Sequence, residues 1–167
     1  MPLNSQFNTT KSTSFLFTIS NKRDLTLKVQ STSIGAVNLG SAQFPIRQTQ
    51  LTVPDNTLQF DPMTIRFIVS EDLSEWFSVL QWMVDITQTN DAHLTRSEVA
   101  TLSVLNMNNQ EVMRIVYKSI FPITLGDLLF SVVDEEISLS CDLALDYDSY
   151  DVINVKTGEK IQYGANY

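Results

Sequence analysis

The sequence holds little of what catalysis or covalent stapling requires: one cysteine and one histidine among 167 residues. A lone Cys141 excludes an internal disulfide and fits folding in a reducing compartment. One histidine and one cysteine do not make a nitrogen and sulfur zinc set. A Ser-His-Asp site would rest entirely on His93, and His93 sits in the polar stretch Asn90-Asp91-Ala92-His93, which reads as a surface loop. Glycine is scarce at five residues, and Gly158 and Gly164 are isolated, so no phosphate-cradling loop is present. No apolar run reaches the roughly eighteen residues that cross a bilayer. Met1 to Ser14 is polar and lacks the apolar core of a secretory signal, so neither a leader nor a membrane anchor is expected.

Positive charge is also short. The formal net charge is −8, which argues against adhesion to a nucleic-acid backbone, since such binding is built from Lys and Arg. The charge is graded along the chain. Residues 1–60 carry five basic and two acidic side chains, residues 61–126 four and eight, and residues 127–167 two and nine. This is either an ordinary acidic surface or a head-to-tail polarity in which a basic end meets an acidic one.

What is present is alternation. Phe15 to Ile19 and Leu25 to Val29 read as strands, with Asn21-Lys22-Arg23-Asp24 as a hairpin connection. Ser31 to Gln50 has no sustained period and reads as a long loop, of the kind that in a compact domain is usually functional or disordered. Gln48 to Val53 reads as a strand ended by Pro54-Asp55-Asn56, a turn signal. Met63, Ile65, Phe67 and Val69 alternate with more polar neighbours as in a half-buried strand.

A helix follows. Asp72 and Glu75 have the spacing of a capping box, and Leu73, Trp76, Phe77, Leu80 and Val84 fall on one face, which is expected to be buried. Trp82 lies off that stripe, either as a partner contact or at the edge of a broader buried face. The helix is expected to end near Ile86, before a polar loop from Thr87 to Ser97.

Val99 to Leu105 and Val112 to Ile120 then read as a hairpin around Asn106 to Gln110, closed by Phe121-Pro122-Ile123. The clearest strand is Ile137 to Tyr147. Its odd positions, with Leu139, Cys141, Leu143 and Leu145, are apolar, and its even positions, Ser138, Ser140, Asp142, Ala144 and Asp146, are small or acidic. Cys141 on the apolar face is a small hydrophobe with a protonated thiol. Asp142, Asp146, Asp148 and Asp151 lack the glycine and closing glutamate of a calcium loop. The expected fold is mainly β (α+β), an antiparallel sandwich or barrel of six to eight strands with one principal helix. A flexible arm at 1–14 and a polar tail at 151–167 would flank a single domain at 15–150.

This order of elements resembles the tail tube proteins of contractile-tailed phages. The resemblance lies in Thr64-Ile65-Arg66-Phe67-Ile68-Val69 leading into Glu75-Trp76-Phe77-Ser78-Val79-Leu80-Gln81-Trp82. It also lies in Ser119-Ile120-Phe121-Pro122-Ile123-Thr124-Leu125-Gly126-Asp127-Leu128, followed by Cys141-Asp142-Leu143-Ala144-Leu145-Asp146-Tyr147. It implies a non-enzymatic virion subunit, without cofactors or metal, that forms stacked hexameric rings through which DNA passes during ejection.

The alternatives are a baseplate tube initiator, a type VI secretion-like tube protein, or a β-barrel module for a small ligand or peptide. The implied partners are further copies of the chain, a sheath protein, and baseplate or terminator proteins. Assembly in the host cytoplasm into a virion tail is implied as well. In such a ring Ser138, Ser140, Asp142 and Asp146 would face either the lumen, making acidic rings, or the outside. Phe44, Pro45, Ile46 and Arg47 would form the ring-stacking part of the long loop.

Overall fold

The computed structural model describes residues 15–20, 27–89, 98–132 and 138–162. The elements follow the order β1 (Phe15–Ser20), β2 (Lys28–Thr32), β3 (Val37–Ile46), β4 (Thr49–Phe60), β5 (Met63–Ile68) and α1 (Ser74–Gln88). The chain continues through β6 (Glu98–Leu105), β7 (Glu111–Leu125), β8 (Ser140–Asp146), β9 (Ser149–Asn154) and β10 (Lys160–Gln162). Every strand pairing is antiparallel. The mainly β architecture, with one helix among the described residues, is the one expected from the alternating strands. No described helix is long and apolar enough to cross a membrane.

The long strand β7 organises the molecule. Its first part, through Lys118, lies between β6 and β9. Its last part, Phe121 to Leu125, pairs with β8. Between them Ser119 takes φ 57°, and the ladder to β6 slips one residue there, with Glu98 opposite Ile120 and Val99 opposite Lys118. An extra residue in one strand bends it and lets it change sheets at a corner. One sheet therefore runs β1-β6-β7-β9-β10 and the other β2-β5-β8-β7, with β7 shared.

The two sheets bury their facing sides against each other. Met63, Ile65 and Phe67 of β5 stand opposite Leu145, Leu143 and Cys141 of β8. They share one core with Phe17, Ile19, Ala100, Leu102, Ile115 and Tyr117 from the other sheet. Period-two apolar residues on both partners put every large side chain on the same side of the ladder. The thiol of Cys141 is pushed up by burial, in keeping with a packing role. A tyrosine cluster closes one end, with the Tyr117 and Tyr147 rings 4.9 Å apart. The Tyr147 hydroxyl donates to the Asp61 carbonyl at 2.9 Å. Gly35 sits at this crossing because a Cβ there would stand 2.0 Å from the same carbonyl oxygen.

Several expectations are corrected. β1 and β2 form no hairpin: β1 pairs with β6 and β2 with β5. The long loop is largely strand, since β3 and β4 make a separate two-stranded ribbon turning at Arg47 and Gln48. Pro54-Asp55-Asn56 does not end a strand. It lies within β4 at a register shift, where Leu39 pairs with Leu58 and Ser41 with Pro54, and Asp55 accepts from the Asn56 amide and the Thr57 hydroxyl. The turn chemistry is satisfied inside a bulge, with Gly40 opposite because a Cβ there would stand 3.2 Å from the Asp55 Cβ.

The polar tail is also structured through Gln162. β9 pairs with β7 and β10 with β9. Asp151 is the fastening: its carboxylate, only 5% exposed, meets Lys118 Nζ at 2.9 Å and Lys160 Nζ at 3.2 Å. Burial would raise its pKa, but Lys118, Lys160 and Gln162 donate to it and hold it below the ordinary value. The arm 1–14, the connection 21–24 and His93 lie outside the described residues.

Candidate assembly surfaces

Three surfaces carry the candidate residues. The first is the outward face of the β2-β5-β8-β7 sheet. Along β8 the alternation holds: Cys141, Leu143 and Leu145 are buried, and Ser140, Asp142, Ala144 and Asp146 face away from the core. The strand is shorter than 137–147. Ser138 is exposed but precedes it, lining instead a groove of about 900 Å³ with Phe130, Leu139 and the start of α1. Ile137 lies outside the described residues.

Asp142 is not a free anion. Arg66 stands directly opposite on β5 and donates through Nε to Oδ1 at 2.7 Å and through Nη2 to Oδ2 at 2.9 Å. The guanidinium holds the Asp142 carboxyl below its ordinary range, against a smaller opposing effect of burial. Such a two-pronged pairing is geometrically specific even at a half-exposed position. The pairing was not legible along one strand, because it depends on the register between residues 76 apart in sequence. Asp146 accepts from the Tyr147 backbone amide at 2.9 Å. In place of the two bare aspartates expected on this face there is one neutral pair and one carboxylate.

The second surface is the β3-β4 ribbon. Phe44 pairs with Leu51 and Ala42 with Val53, while Gln43 and Pro45 pair with Thr52 and Gln50. Paired residues share a face, so the distal half is apolar on one side and polar on the other. Among the described residues nothing covers the apolar side: Phe44 is 54% exposed, and Ile46 and Leu51 are also exposed. Arg47 takes φ 47° at the turn and is exposed. Phe44, Pro45, Ile46 and Arg47 are therefore brought together, at the ribbon tip rather than in a loop.

The third surface is α1. The buried residues are Val79 and Trp82, whereas Phe77 is 62% exposed and Leu80 and Val84 are exposed as well. The helix is turned from the expected orientation: Trp76 is only partly buried, and the stripe Phe77, Leu80 and Val84 faces outward. Trp82 resolves as the inner face, buried at 2% exposure. The start differs as well. Leu73 takes φ 56° before the first turn, and Glu75 reaches back to accept from the Ser70 amide and hydroxyl rather than from Asp72. Asp72 instead accepts from the Ser74 amide at 3.2 Å. Amphipathic spacing marks a stripe, but two stripes were apolar here, and periodicity does not rank them. The exposed Leu129, Phe130 and Val132 were missed for another reason, since they fall in no periodic segment.

No family model matches the chain. Over 158 residues it is 28% identical to the tail tube terminator protein of Enterobacteria phage T4, covering 87% of this chain and 90% of that one. Among solved structures, the sheath–tube complex of the PVC extracellular contractile injection system contains a chain matched at TM-score 0.68. That match is 16% identical over 90% of this chain and 95% of its counterpart. The tube-terminating cap of the anti-feeding prophage is matched at TM-score 0.65 and 12% identity, over 93% and 97%. An Hcp1 protein from Escherichia coli shares the fold at TM-score 0.58 and 7% identity.

The chain has the tail-tube-like fold found in contractile injection systems. The matched proteins are tube, terminator and cap components, structural proteins rather than enzymes.

Proposed function

We propose that the chain forms the hexameric ring that terminates a contractile phage tail tube. The observation that carries this reading is the nearly end-to-end match to the T4 tail tube terminator protein. Two features of the fold support ring formation. β2 pairs with β5, and Thr124 and Leu125 at the end of β7 pair with β8, so at β2 and at this end of β7 the four-stranded sheet has edges with no second strand among the described residues. Edges of this kind are hazards unless another strand covers them, and joining the β2 edge of one copy to the β7 edge of the next closes a barrel. The outward face of that sheet, with Ser140, Asp142 and Asp146, then lines the lumen through which DNA passes. Ser138 stands at its mouth.

The ribbon tip, Phe44 to Arg47, is the axial contact. A two-stranded ribbon with an uncovered apolar face is marginal alone in water, and docking on the adjoining ring of the tube removes that face from solvent. Sheath and baseplate proteins are further partners, and assembly takes place in the host cytoplasm before the particle is complete. A second reading, the repeating tube subunit itself, is favoured by the match to the sheath–tube complex.

Negative-stain microscopy of the purified chain, alone and mixed with preformed tubes, decides between them. A terminator gives single six-fold rings that cap tube ends and stop elongation. Continuous polymers of the purified chain would establish the tube-subunit reading instead. A monomer that ignores tubes would refute both.

A further inference from the structure

On the outward face of the four-stranded sheet, the described strands contribute two cations, Lys28 and Arg66, and two carboxylates, Asp142 and Asp146. Lys28 lies at the edge, its amine 3.5 Å from the Ser70 hydroxyl. Arg66 lies inside the sheet, on β5 between β2 and β8. Its side chain is 53% exposed, and a bare guanidinium there would present the donor fork that suits a phosphate. Asp142 occupies two donors of that fork, Nε and Nη2, with the geometry a phosphate would use.

We infer that Asp142 acts as a built-in phosphate surrogate, masking Arg66 so that a polyanion sliding over this face is not held. The inference rests on the reading of this face as the lumen of a DNA conduit, and it deepens that reading. Retention of a nucleic acid requires net cations that release counterions from phosphates. An Arg–Asp pair contributes none, yet it keeps β5 and β8 in register. In a closed ring the pair recurs in every copy, so loss of the carboxylate would create a belt of guanidinium groups around the bore. The device differs from simple acidity. It is neutral, it neither attracts nor strongly repels the strand, and it fails by unmasking a cation.

The test compares wild type, Asp142→Asn, Arg66→Gln with Asp142→Asn, and Asp146→Asn. Asp146→Asn removes the same charge from the same face without freeing an arginine. Retention is read by anisotropy of a labelled DNA duplex on assembled rings across a salt series. It is read in parallel as the salt needed to elute the unassembled chain from heparin, and circular dichroism checks the fold. Asp142→Asn is expected to raise retention roughly tenfold or more at low salt and to steepen the salt dependence by up to about five in slope, the limit for six newly exposed arginines. The double variant should return to the wild-type level, and Asp146→Asn should give a much smaller rise.

Equal rises for Asp142→Asn and Asp146→Asn would overturn the inference, showing that net charge alone matters. So would an unchanged Asp142→Asn, which would leave the pair a register device only. The heparin measurement needs no ring. If microscopy shows no ring but Asp142→Asn still elutes later and the double variant does not, masking stands and the conduit reading fails.

Discussion

β5 and the β3-β4 ribbon are written in the same two-letter rhythm and end in opposite environments. Met63, Ile65 and Phe67 alternate with Thr64 and Arg66, and all three are fully buried. Ala42, Phe44 and Ile46 alternate with Gln43 and Pro45, and none is buried. Alternation dictates that a strand has an apolar face. It does not dictate that the same chain supplies the cover. β5 lies between two strands and faces a second sheet, whereas the ribbon meets the rest of the fold at its base, where Phe60 packs against the Tyr147 and Tyr150 rings and the Tyr147 hydroxyl donates to the Asp61 carbonyl. On the function proposed above, the uncovered apolar face of the ribbon is the part of the core that another molecule completes.

The sharpest way to break that comparison is to cut the same side chain from both places. Phe67→Ala should destabilise the isolated chain by about 3–5 kcal/mol, the usual cost of emptying a filled core position. Equilibrium denaturation measures it, and a loss under about 1 kcal/mol would mean that the two sheets do not pack as described. The helix offers a second contrast within one element. Trp82→Ala should cost about 3 kcal/mol, while Phe77→Ala should stay within about 0.5 kcal/mol, as exposed substitutions do. Reversal of that order would restore the orientation read from the stripe Leu73, Trp76, Phe77, Leu80 and Val84.

The sequence carried the sheet far better than the surfaces. β5, β8 and the apolar side of each were legible because period two survives to the last residue and one face is wholly buried. The β6-β7 hairpin was legible from two strands around Asn106 to Gln110. The reach of β7 past Phe121 was not, because Pro122 and the Ser119 bend look like punctuation until the change of sheet is visible. β9 and β10 were missed because they are short and their few apolar residues, Tyr150, Val152, Ile153 and Ile161, are set among polar and charged ones, while their anchor, Asp151 between Lys118 and Lys160, is tertiary. The same limit hid Arg66. Its place on a polar face was plain, but its partner is fixed by pairing between strands distant in sequence.

Asp151 gives a prediction of intermediate size. Asp151→Asn should lower stability at neutral pH by about 1–3 kcal/mol, the scale of hydrogen bonds to a buried charge, because two lysines lose their counter-charge. The folded carboxyl has a depressed pKa, so its contribution is complete above the ordinary value of 3.8. It is lost as the pH falls below that value through the folded pKa. Wild type and variant should therefore converge in acid. Urea denaturation at neutral pH and again near pH 2 measures both gaps. A gap of the same size at both values would mean that hydrogen bonding, not charge, fastens β10.

The smallest effect on folding should come from the ribbon. Phe44→Ala removes a ring that is already half in water, so stability of the isolated chain should change by less than about 0.5 kcal/mol. The same ring would be desolvated when a partner covers it, and large aromatics at the centre of such contacts commonly carry more than 1 kcal/mol each. Phe44→Ala should therefore leave the melting curve in place while weakening capping of tubes at least fivefold, with Gln43→Ala on the polar side as the matched control. Capping is read as the protein concentration that halts tube growth. If both variants cap like wild type, the apolar side of the ribbon is not the axial contact. If Phe44→Ala instead unfolds the chain, the ribbon folds back onto its own domain, and the contrast with β5 disappears.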